Sequence, residues 1–242
     1  MCAIIGWKGH INKRVLREFF RRAESSGPMS TGLMTIDDNG REPSLDLWKK
    51  AIPASHALRN HNHRLDRQAT HSMGIGHTRY ATHGTVCDDN AHPFSDGTVH
   101  FVHNGVIGNY LDIKKDAIVD SQCLGPLIHN RNISPAWGSV GLAWFEQVHG
   151  QWKMFVYRHA QSLKVCVATV LDDDYTPHPV VLVASRLHHF PREGVGNCQF
   201  IELDEGVAYE VTDEGVVEVW RNPSQIQHFE RATHRNGCYI GG

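Results

Sequence analysis

Cys2 is the residue near the start of this chain whose type and position could do chemistry. If the initiator methionine is removed, the thiol and a free α-amine belong to one residue. The amine has a reference pKa of about 7.7–8.0 and the thiol of about 8.5, so near neutral pH part of the amine can accept a proton. An adjacent amine is a known way to activate a weak nucleophile. The alternative is that Cys2 is only a small apolar residue at the start of a strand, and this stretch alone favours that alternative.

A second group of polar side chains lies at residues 76–84, where a predicted strand runs into a loop bounded by glycines. The loop offers a guanidinium, an aromatic ring, a hydroxyl and an imidazole, carried by Arg79, Tyr80, Thr82 and His83. The planar guanidinium can bind a carboxylate through two parallel hydrogen bonds. The glycines do not form the GxGxxG pattern, so a dinucleotide-binding loop is not indicated.

The pair Asn104-Gly105 follows a predicted strand and has two interpretations. An Asn-Gly pair after a β-run is normally a hairpin turn, but no return strand is evident directly after it. The chemical alternative is that the Asn side-chain N–H and the Gly backbone N–H donate together to a developing oxyanion. The residues alone leave both interpretations open.

The elements that must position these groups are indicated by the spacing of apolar residues. The run at 3–6 predicts a buried strand that would hold the thiol in place, and helical spacing predicts a helix over 11–25. The remaining predicted elements are a strand at 31–36 with a turn at 37–40, a strand and a helix within 45–58, a loop or helix end over 59–70, strands from 73 and at 98–102, a short helix over 121–130, and strands at 140–145, 152–157, 163–168, 180–185, 199–203, 207–211 and 216–220.

Four motifs carry a resemblance to a known family. Cys2, residues 76–84, Asn-Ala-His-Pro at 90–93 and His-Asn-Gly at 103–105 occur in the order and approximate spacing of the class II glutamine amidotransferases. The chain is most similar to the branch of glucosamine-6-phosphate synthase and glutamine phosphoribosylpyrophosphate amidotransferase. The resemblance implies an α+β N-terminal-nucleophile hydrolase fold with four αββα layers, in which two mainly antiparallel sheets stack between helices. It also implies one domain over residues 1–242, with a polar tail at 222–242.

The resemblance implies the reaction and its catalytic residues. Cys2 would attack the side-chain amide of L-glutamine, with its own α-amine as general base. A glutamyl thioester would form and ammonia would be released. Asn104 and Gly105 would form the oxyanion hole. No metal and no organic cofactor would be needed.

The resemblance also implies how glutamine is bound. Arg79 would hold the α-carboxylate and Asp120 the α-ammonium, while Thr82 and His83 would belong to a loop that closes over the substrate. This assignment agrees with the chemistry of an amino acid, which needs a cation for one end and an anion for the other. Asp120 is also placed where a helix N-cap is favoured, and the two roles are compatible. Tyr80 stands where the family usually carries Trp, at a position associated with gating of an ammonia channel.

Three further positions depart from the family. Residues 26–29, Ser-Gly-Pro-Met, replace an arginine and an acid that the family carries in the turn before its second strand. Gly108 stands where a Glu is common. The segment 111–120 is shorter than usual, which affects the register that places Asp120.

Composition and charge narrow the classes of function. The 242 residues carry a formal net charge of -2, which argues against non-specific binding to nucleic acid or membrane. The N-terminal residues lack the charged-then-apolar pattern of a signal peptide, and no apolar stretch reaches about 18 residues, so we expect neither a signal peptide nor a membrane span. The six cysteines are scattered without a CxxC pair, which predicts free thiols and a cytoplasmic protein. Among the 18 histidines, the pairs His61 with His63 and His188 with His189 lack the spacing of a zinc site.

The length has a consequence for the fate of the ammonia. The chain has no room for a sugar-isomerase or phosphoribosyl module, so we expect the acceptor synthase on a separate chain, and the oligomeric state stays open. Two alternatives remain: a stand-alone amidase for another amide, and a catalytically silent binding module of the same fold. The combination of Cys2, Arg79, Asn104, Gly105 and Asp120 argues against the silent module, since binding alone does not require all five.

Overall fold

The computed structural model describes residues 2–38 and 42–222. The predicted turn at 37–40 lies partly outside the described residues, and the predicted tail lies outside them from residue 223 onward. The described residues form strands β1 Ala3–Gly9, β2 Ser30–Asp37, β3 Ser44–Lys50, β4 Met73–Arg79, β5 Phe94–Asp96, β6 Val99–Ile107, β7 Gly138–Val148, β8 Gln151–His159, β9 Lys164–Leu171, β10 Pro177–Ala184, β11 Val195–Ile201, β12 Val207–Val211 and β13 Val216–Arg221. The helices are α1 Lys13–Glu24, α2 Ala54–Asn60, α3 Asn62–Gln68, α4 Tyr110–Ile113 and α5 Leu124–His129, with short 3₁₀ turns at Asp120–Cys123 and Leu187–His189.

The strands form two antiparallel sheets. The first has seven strands in the order β11-β9-β10-β1-β4-β2-β3, and the second has six in the order β13-β12-β8-β7-β6-β5. The strand that follows Cys2 lies at the centre of the first sheet, between β10 and β4. The backbone of β1 is therefore fixed by hydrogen bonds on both edges.

Three hydrophobic cores separate four layers, as expected. Helices α1, α2 and α3 pack on the outer face of the first sheet, and α5 packs on the outer face of the second. The third core lies between the sheets. Successive side chains of a strand point to opposite faces, so Ile5 and Trp7 pack against the helices while Ile4 packs against the second sheet. Burial on both faces explains the unbroken apolar run at 3–6.

Helix α1 agrees with its prediction and shows why it begins where it does. The Asn12 side chain accepts a hydrogen bond of 3.0 Å from the backbone nitrogen of Val15 and so caps the first turn. The buried face of the helix includes Leu16, Phe19 and Phe20. None of the helices in the described ranges is both long and apolar enough to cross a membrane.

The segment 59–70 differs from the prediction of a loop or helix end, because most of it forms α3. Leu65 is buried in the core, and the Gln68 side chain donates to the backbone oxygen of Asp46 over 3.1 Å. The Arg17 guanidinium donates two hydrogen bonds to Asp66. One buried apolar residue in two turns gives too weak a periodicity to identify, and the contacts that hold α3 come from distant residues.

The strand that carries Asn104 is longer than predicted. It does not end at Val102 but continues as β6 to Ile107. Its return strand is β7, in a register that sets Asn104 opposite Gly141 and Gly105 opposite Val140. The hairpin-turn interpretation is therefore wrong. The return strand was not evident because about thirty residues, including α4 and α5, intervene.

Candidate functional site

Cys2 lies beside the end of β4 because β1 and β4 are antiparallel, with Ala3 opposite Thr78. Its Sγ accepts a hydrogen bond from the Tyr80 backbone nitrogen over 3.3 Å. The thiol also lies 3.4 Å from the Tyr80 carbonyl oxygen, to which it can donate. The sulfur is therefore held by the backbone of the residue that follows Arg79, and the register of two central strands fixes that position.

The environment of Cys2 favours the protonated thiol. Burial raises the pKa of this thiol above its ordinary value. The Tyr80 amide and the charge of Arg79 act in the opposite direction, and the charge of Asp120 adds to the increase. The sulfur therefore needs a base before it can act as a nucleophile near neutral pH. Arg79 and Asp120 are thus both near enough to the sulfur for their charges to shift the pKa of the thiol.

Arg79 is buried at the end of β4. Its guanidinium donates to the backbone oxygen of His83 and, over 3.4 Å, to that of Thr85. Burial lowers the pKa of this guanidinium, while Cys2 and Asp120 raise it. A guanidinium has five N–H donors. Donors therefore remain for a ligand after the loop carbonyls are bound.

Residues 26–29, which depart from the family pattern, contact the Arg79 loop directly. The Met29 backbone nitrogen donates to the Arg79 carbonyl over 3.0 Å, and the Met29 sulfur accepts from the Ala81 nitrogen at 3.3 Å. A Cβ on Gly27 would lie 2.3 Å from the Thr78 backbone oxygen. The glycine thus permits close approach, and the thioether takes over part of the positioning of the loop.

Asp120 joins three parts of the site. One carboxylate oxygen accepts from the backbone nitrogen of Ile107 over 3.0 Å, at the end of β6. The other lies 3.7 Å from His83 Nδ1. The side chain begins the 3₁₀ turn but does not cap it, so the N-cap interpretation does not account for its carboxylate. Among the described residues Asp120 forms no ion pair with Arg79, and the two opposite charges are left for separate partners.

Asn104 and Gly105 lie inside β6, where the first sheet faces the second. The Asn104 side-chain nitrogen donates to Ser185 Oγ over 3.2 Å, and the same oxygen accepts from the Ile4 nitrogen over 2.8 Å. Gly105 has φ +149°, and a Cβ there would lie 1.9 Å from the Ser139 backbone oxygen. Only glycine is therefore compatible with this position, and Ser185 ties Asn104 to the strand that follows Cys2.

Sequence reasoning did not identify a network of buried side chains behind the site. The His77 ring donates from Nε2 to the His103 carbonyl over 2.9 Å, and so joins β4 to β6 just before Asn104. Burial lowers the pKa of His77 to about 3, which keeps the ring neutral near pH 7. His77 and His103 lie within the motifs that carry the resemblance, and this position was the available signal.

The protons of the network can be assigned from its acceptors. His103 Nε2 lies 3.4 Å from the Ser139 carbonyl, which can only accept, so Nε2 carries the proton. His103 Nδ1 then accepts from Ser121 Oγ at 2.9 Å, and Ser121 accepts from His92 Nε2 at 3.0 Å. Burial lowers the pKa of His92 well below its usual range, which agrees with a neutral donor. The chain of bonds fixes the backbone on either side of Asn104 and Asp120.

Two of the expected site residues are less engaged. Thr82 is exposed in the loop, and the hydrogen bonds of the described residues do not tie its hydroxyl to the site. Tyr80 is 46% exposed, and it contacts Cys2 through its backbone and not through its ring. The His83 ring packs edge-on against Tyr110, with centroids 5.1 Å apart. The structure therefore groups Cys2, Arg79, Asp120 and His83, and leaves Thr82 outside.

Curated proteins are similar in sequence to about half of this chain or to most of it. The glutamine--fructose-6-phosphate aminotransferase [isomerizing] of Yersinia pseudotuberculosis is 29% identical over 244 aligned residues, 93% of this chain and 36% of that protein. The enzyme of the same name from Gluconobacter oxydans is 37% identical over 117 residues, 48% of this chain and 18% of that protein. The chain thus spans between 18% and 36% of the length of these curated relatives. No family model matches the chain.

Solved structures share the fold. A glutamine phosphoribosylpyrophosphate amidotransferase from B. subtilis superposes with a TM-score of 0.64 over 90% of this chain and 49% of that one, at 18% identity. A structure described as the allosteric regulatory enzyme of purine biosynthesis gives a TM-score of 0.66 over 90% of this chain and 48% of that one, at 20% identity. At these identities the likeness establishes the fold alone. Together, the shared fold and the sequence relatives support a class II glutamine amidotransferase domain of the N-terminal-nucleophile type.

Proposed function

We propose that this domain hydrolyses the side-chain amide of L-glutamine with Cys2 as its nucleophile. The observation that carries the proposal is the position of Cys2 Sγ, which rests on the Tyr80 backbone while the charges of Arg79 and Asp120 both act on it. A nucleophile, a cation and an anion around one point suit a free α-amino acid that bears an amide. The relatives named above as glutamine-dependent enzymes support the same substrate.

The reaction begins with a proton transfer within Cys2. In the chain without Met1, the α-amine of Cys2 takes the thiol proton. The sulfur then bonds to the carbon of the glutamine side-chain amide, and the amide oxygen becomes an oxyanion. The Asn104 side-chain nitrogen has two hydrogens, of which one donates to Ser185. We assign the other, with the Gly105 backbone N–H, to the oxyanion.

The second half of the reaction returns the proton. The amine donates it to the leaving nitrogen, the C–N bond breaks, and ammonia departs from a glutamyl thioester at Cys2. Water then attacks the thioester, and glutamate leaves with regeneration of the thiol. Burial raises the pKa of the Cys2 thiol, so the sulfur is still protonated when glutamine binds. The amine is therefore necessary as a base.

The two ends of glutamine are assigned to the two buried charges. Arg79 retains donors for the α-carboxylate, and Asp120 has an oxygen directed toward His83 for the α-ammonium. The loop 80–85, whose carbonyls bind Arg79, closes over the substrate, with Thr82 and His83 as its contacts. Tyr80 lies next to the nucleophile, where its ring can gate the exit of ammonia.

We further propose that the ammonia is used by a separate synthase chain and that residues 1–242 act as one domain. The aminotransferase relatives extend well beyond the aligned region, since it covers 36% or less of their length. A stand-alone amidase for a different amide is the second candidate. The specific observation against it is that a cation, Arg79, and an anion, Asp120, both act on the Cys2 sulfur, which fits an unblocked α-amino acid.

The test is an assay of purified, untagged protein with L-glutamine, which measures glutamate and ammonia. We expect turnover that is lost in Cys2→Ala, and a covalent adduct of 6-diazo-5-oxo-L-norleucine at Cys2 by mass spectrometry of the chain lacking Met1. Cys198→Ala, at an exposed cysteine, is the matched control and should keep full activity. Absence of turnover and of the adduct in a chain that begins at Cys2 would refute the proposal.

The partner is tested separately. Extract from the producing organism, with its own glutaminases inhibited and the inhibitor removed, should stimulate glutamate release by the added domain. The same extract should leave Cys2→Ala silent. Equal rates with and without extract would contradict a synthase partner and leave the glutaminase assignment intact.

A further inference from the structure

A cluster of metal-ligating side chains lies at the end of β1 opposite to Cys2. His10 follows β1, Asp172 follows β9, and His178 lies on β10. The three ligand atoms of these residues lie within 4.8 Å of one another. A strand advances about 3.3 Å per residue, so the cluster is about 25 Å from Cys2 along β1. It therefore belongs to neither the proposed nucleophile nor its substrate site.

The geometry of the cluster is fixed by the backbone. The Asn12 side chain donates to the Leu171 carbonyl over 2.8 Å, which holds the start of α1 against the end of β9. Asp172 lies at the start of a tight turn, with its nitrogen bonded to the Thr176 carbonyl over 3.0 Å. Pairing of β1 with β10 brings the two histidine rings to a centroid distance of 4.5 Å.

One carboxylate lies between the two imidazoles. His10 Nε2 lies 2.6 Å from one Asp172 oxygen, and His178 Nε2 lies 2.7 Å from the other. Only the first pair has hydrogen-bond geometry. His178 Nε2 is a buried atom without a hydrogen-bond partner among the described residues, although it faces the carboxylate. At 2.7 Å this nitrogen and the carboxylate oxygen attract each other only if a proton or a metal ion lies between them.

We propose that His10, Asp172 and His178 bind a divalent cation of the zinc class. Two imidazole nitrogens and one carboxylate oxygen are a ligand set that Zn²⁺ accepts, with water completing a tetrahedron. Nitrogen ligands also favour Zn²⁺, Ni²⁺ and Cu²⁺ over Mg²⁺ and Ca²⁺, which prefer oxygen ligands alone. The ligands are about one-third exposed, so the ion can enter from solvent.

The role of the ion follows from where its ligands come from. His10 leads from the central strand into α1, Asp172 lies in the turn between β9 and β10, and His178 lies at the start of β10. A bound ion joins these segments, which are 162 residues apart in sequence. This placement gives the ion a part in stability, and the cluster lies at the far end of β1 from Cys2.

The test uses untagged, chelator-treated protein in a Cys2→Ala background, which removes the half-buried thiol as a competing ligand. Titration with Zn²⁺ against a chromophoric chelator should give a site that holds one ion per chain and that raises the melting temperature when filled. His178→Gln and Asp172→Asn should each weaken this site by more than about tenfold, the lower end of what loss of a second-shell partner costs a metal site. The Co²⁺-loaded protein should show no thiolate charge-transfer band from this site, because none of the three proposed ligands is a cysteine.

His63→Gln is the matched control, because this histidine is exposed on α3 and lies outside the cluster. It should bind Zn²⁺ as the background protein does. Melting in chelator shows whether each variant is folded, and His178→Gln serves if Asp172→Asn does not fold. Zn²⁺ binding that is absent, or that is the same in the background and in a folded His178→Gln, overturns the proposal.

Discussion

The Asn104 side chain donates to the hydroxyl of Ser185, which also accepts from the backbone of Ile4. One serine oxygen therefore ties the proposed oxyanion donor of the second sheet to the strand of the nucleophile in the first sheet. Ser185 does not touch the reacting atoms in this arrangement and acts as a positioning residue.

Ser185→Ala should lower kcat and leave KM for glutamine nearly unchanged. Removal of an oxyanion donor costs about 100- to 1,000-fold, so loss of the residue that orients it should cost less, about 10- to 100-fold. The buried Ile4 nitrogen also loses its acceptor, and stability should fall by about 1–3 kcal/mol. Steady-state kinetics and urea unfolding measure the two effects. Ser95→Ala, at an exposed serine of β5, is the control, and an equal effect there would remove the assigned role.

Asp120→Asn should weaken catalysis with glutamine while the fold is retained. The asparagine oxygen can still accept from the Ile107 nitrogen, but the charge that faces the α-ammonium is lost. A hydrogen bond to a charged group contributes about 1.5–3 kcal/mol, so kcat/KM should fall by about 10- to 100-fold. Kinetics of both proteins with glutamine measure this loss.

The control for Asp120 is a substrate without the α-amine. Glutaramate keeps the amide and the carboxylate, so Asp120→Asn should hardly change its kcat/KM. Arg79→Lys should impair both substrates, because the planar fork that suits a carboxylate is lost. If Asp120→Asn lowers kcat/KM for glutaramate as much as it does for glutamine, the Asp120 carboxylate does not bind the α-ammonium.

The thiol of Cys2 should react slowly with iodoacetamide at pH 7. Burial raises its pKa, so its alkylation rate should keep rising with pH beyond the ordinary thiol range, and no plateau should appear below pH 9. Glutamine hydrolysis should level off earlier, near the amine reference pKa of about 7.7–8.0. Peptide mapping by mass spectrometry against time gives the alkylation rate of each cysteine. A plateau of Cys2 alkylation below pH 9 would contradict a protonated resting thiol.

The buried histidines should make the protein sensitive to acid. Burial lowers the pKa of His77 in the folded protein to about 3, whereas in the unfolded chain the ring binds a proton below about pH 6.5. The unfolded state therefore binds more protons in this window, and stability falls as the pH decreases from about 6.5 toward 3. Each such histidine contributes up to about 1.4 kcal/mol per pH unit.

His77→Gln isolates this effect. The glutamine nitrogen can still donate to the His103 carbonyl, but it does not titrate. Urea unfolding at pH 7 and pH 5 should show a smaller loss of stability in the variant than in the parent. His92 and His103 keep part of the dependence, because burial lowers their pKa as well. An unchanged difference between the two pH values would refute the assignment to His77.

Much of the fold and of the site could be predicted from the sequence, because it depends on local patterns. Residue spacing within a few positions predicts several strands. These are the strand after Cys2, the strand before Arg79 and the late β-segments. The layers followed only from the resemblance, and the roles of Cys2, Arg79, Asn104, Gly105 and Asp120 stay predictions until tested.

The contacts that were missed join distant residues. Ser185 meets Asn104 across 81 positions, and Asp172 meets His10 across 162. No local pattern marks either pair, since a lone serine or histidine is ordinary at the end of a strand. Helix α3 was missed for a related reason, because contacts such as Arg17 with Asp66 hold a segment that has little apolar periodicity.

The central place of β1 in its sheet has a consequence for biosynthesis. One neighbour of this strand, β10, includes residues up to Ala184. Ribosomes add about 5–20 residues per second, so the first strand emerges roughly 10–35 s before that neighbour can pair with it. During this interval the N-terminus is not yet enclosed by the finished sheet. The aminopeptidase that must expose Cys2 for the proposed reaction can therefore act on the nascent chain, before folding completes the pocket around the sulfur.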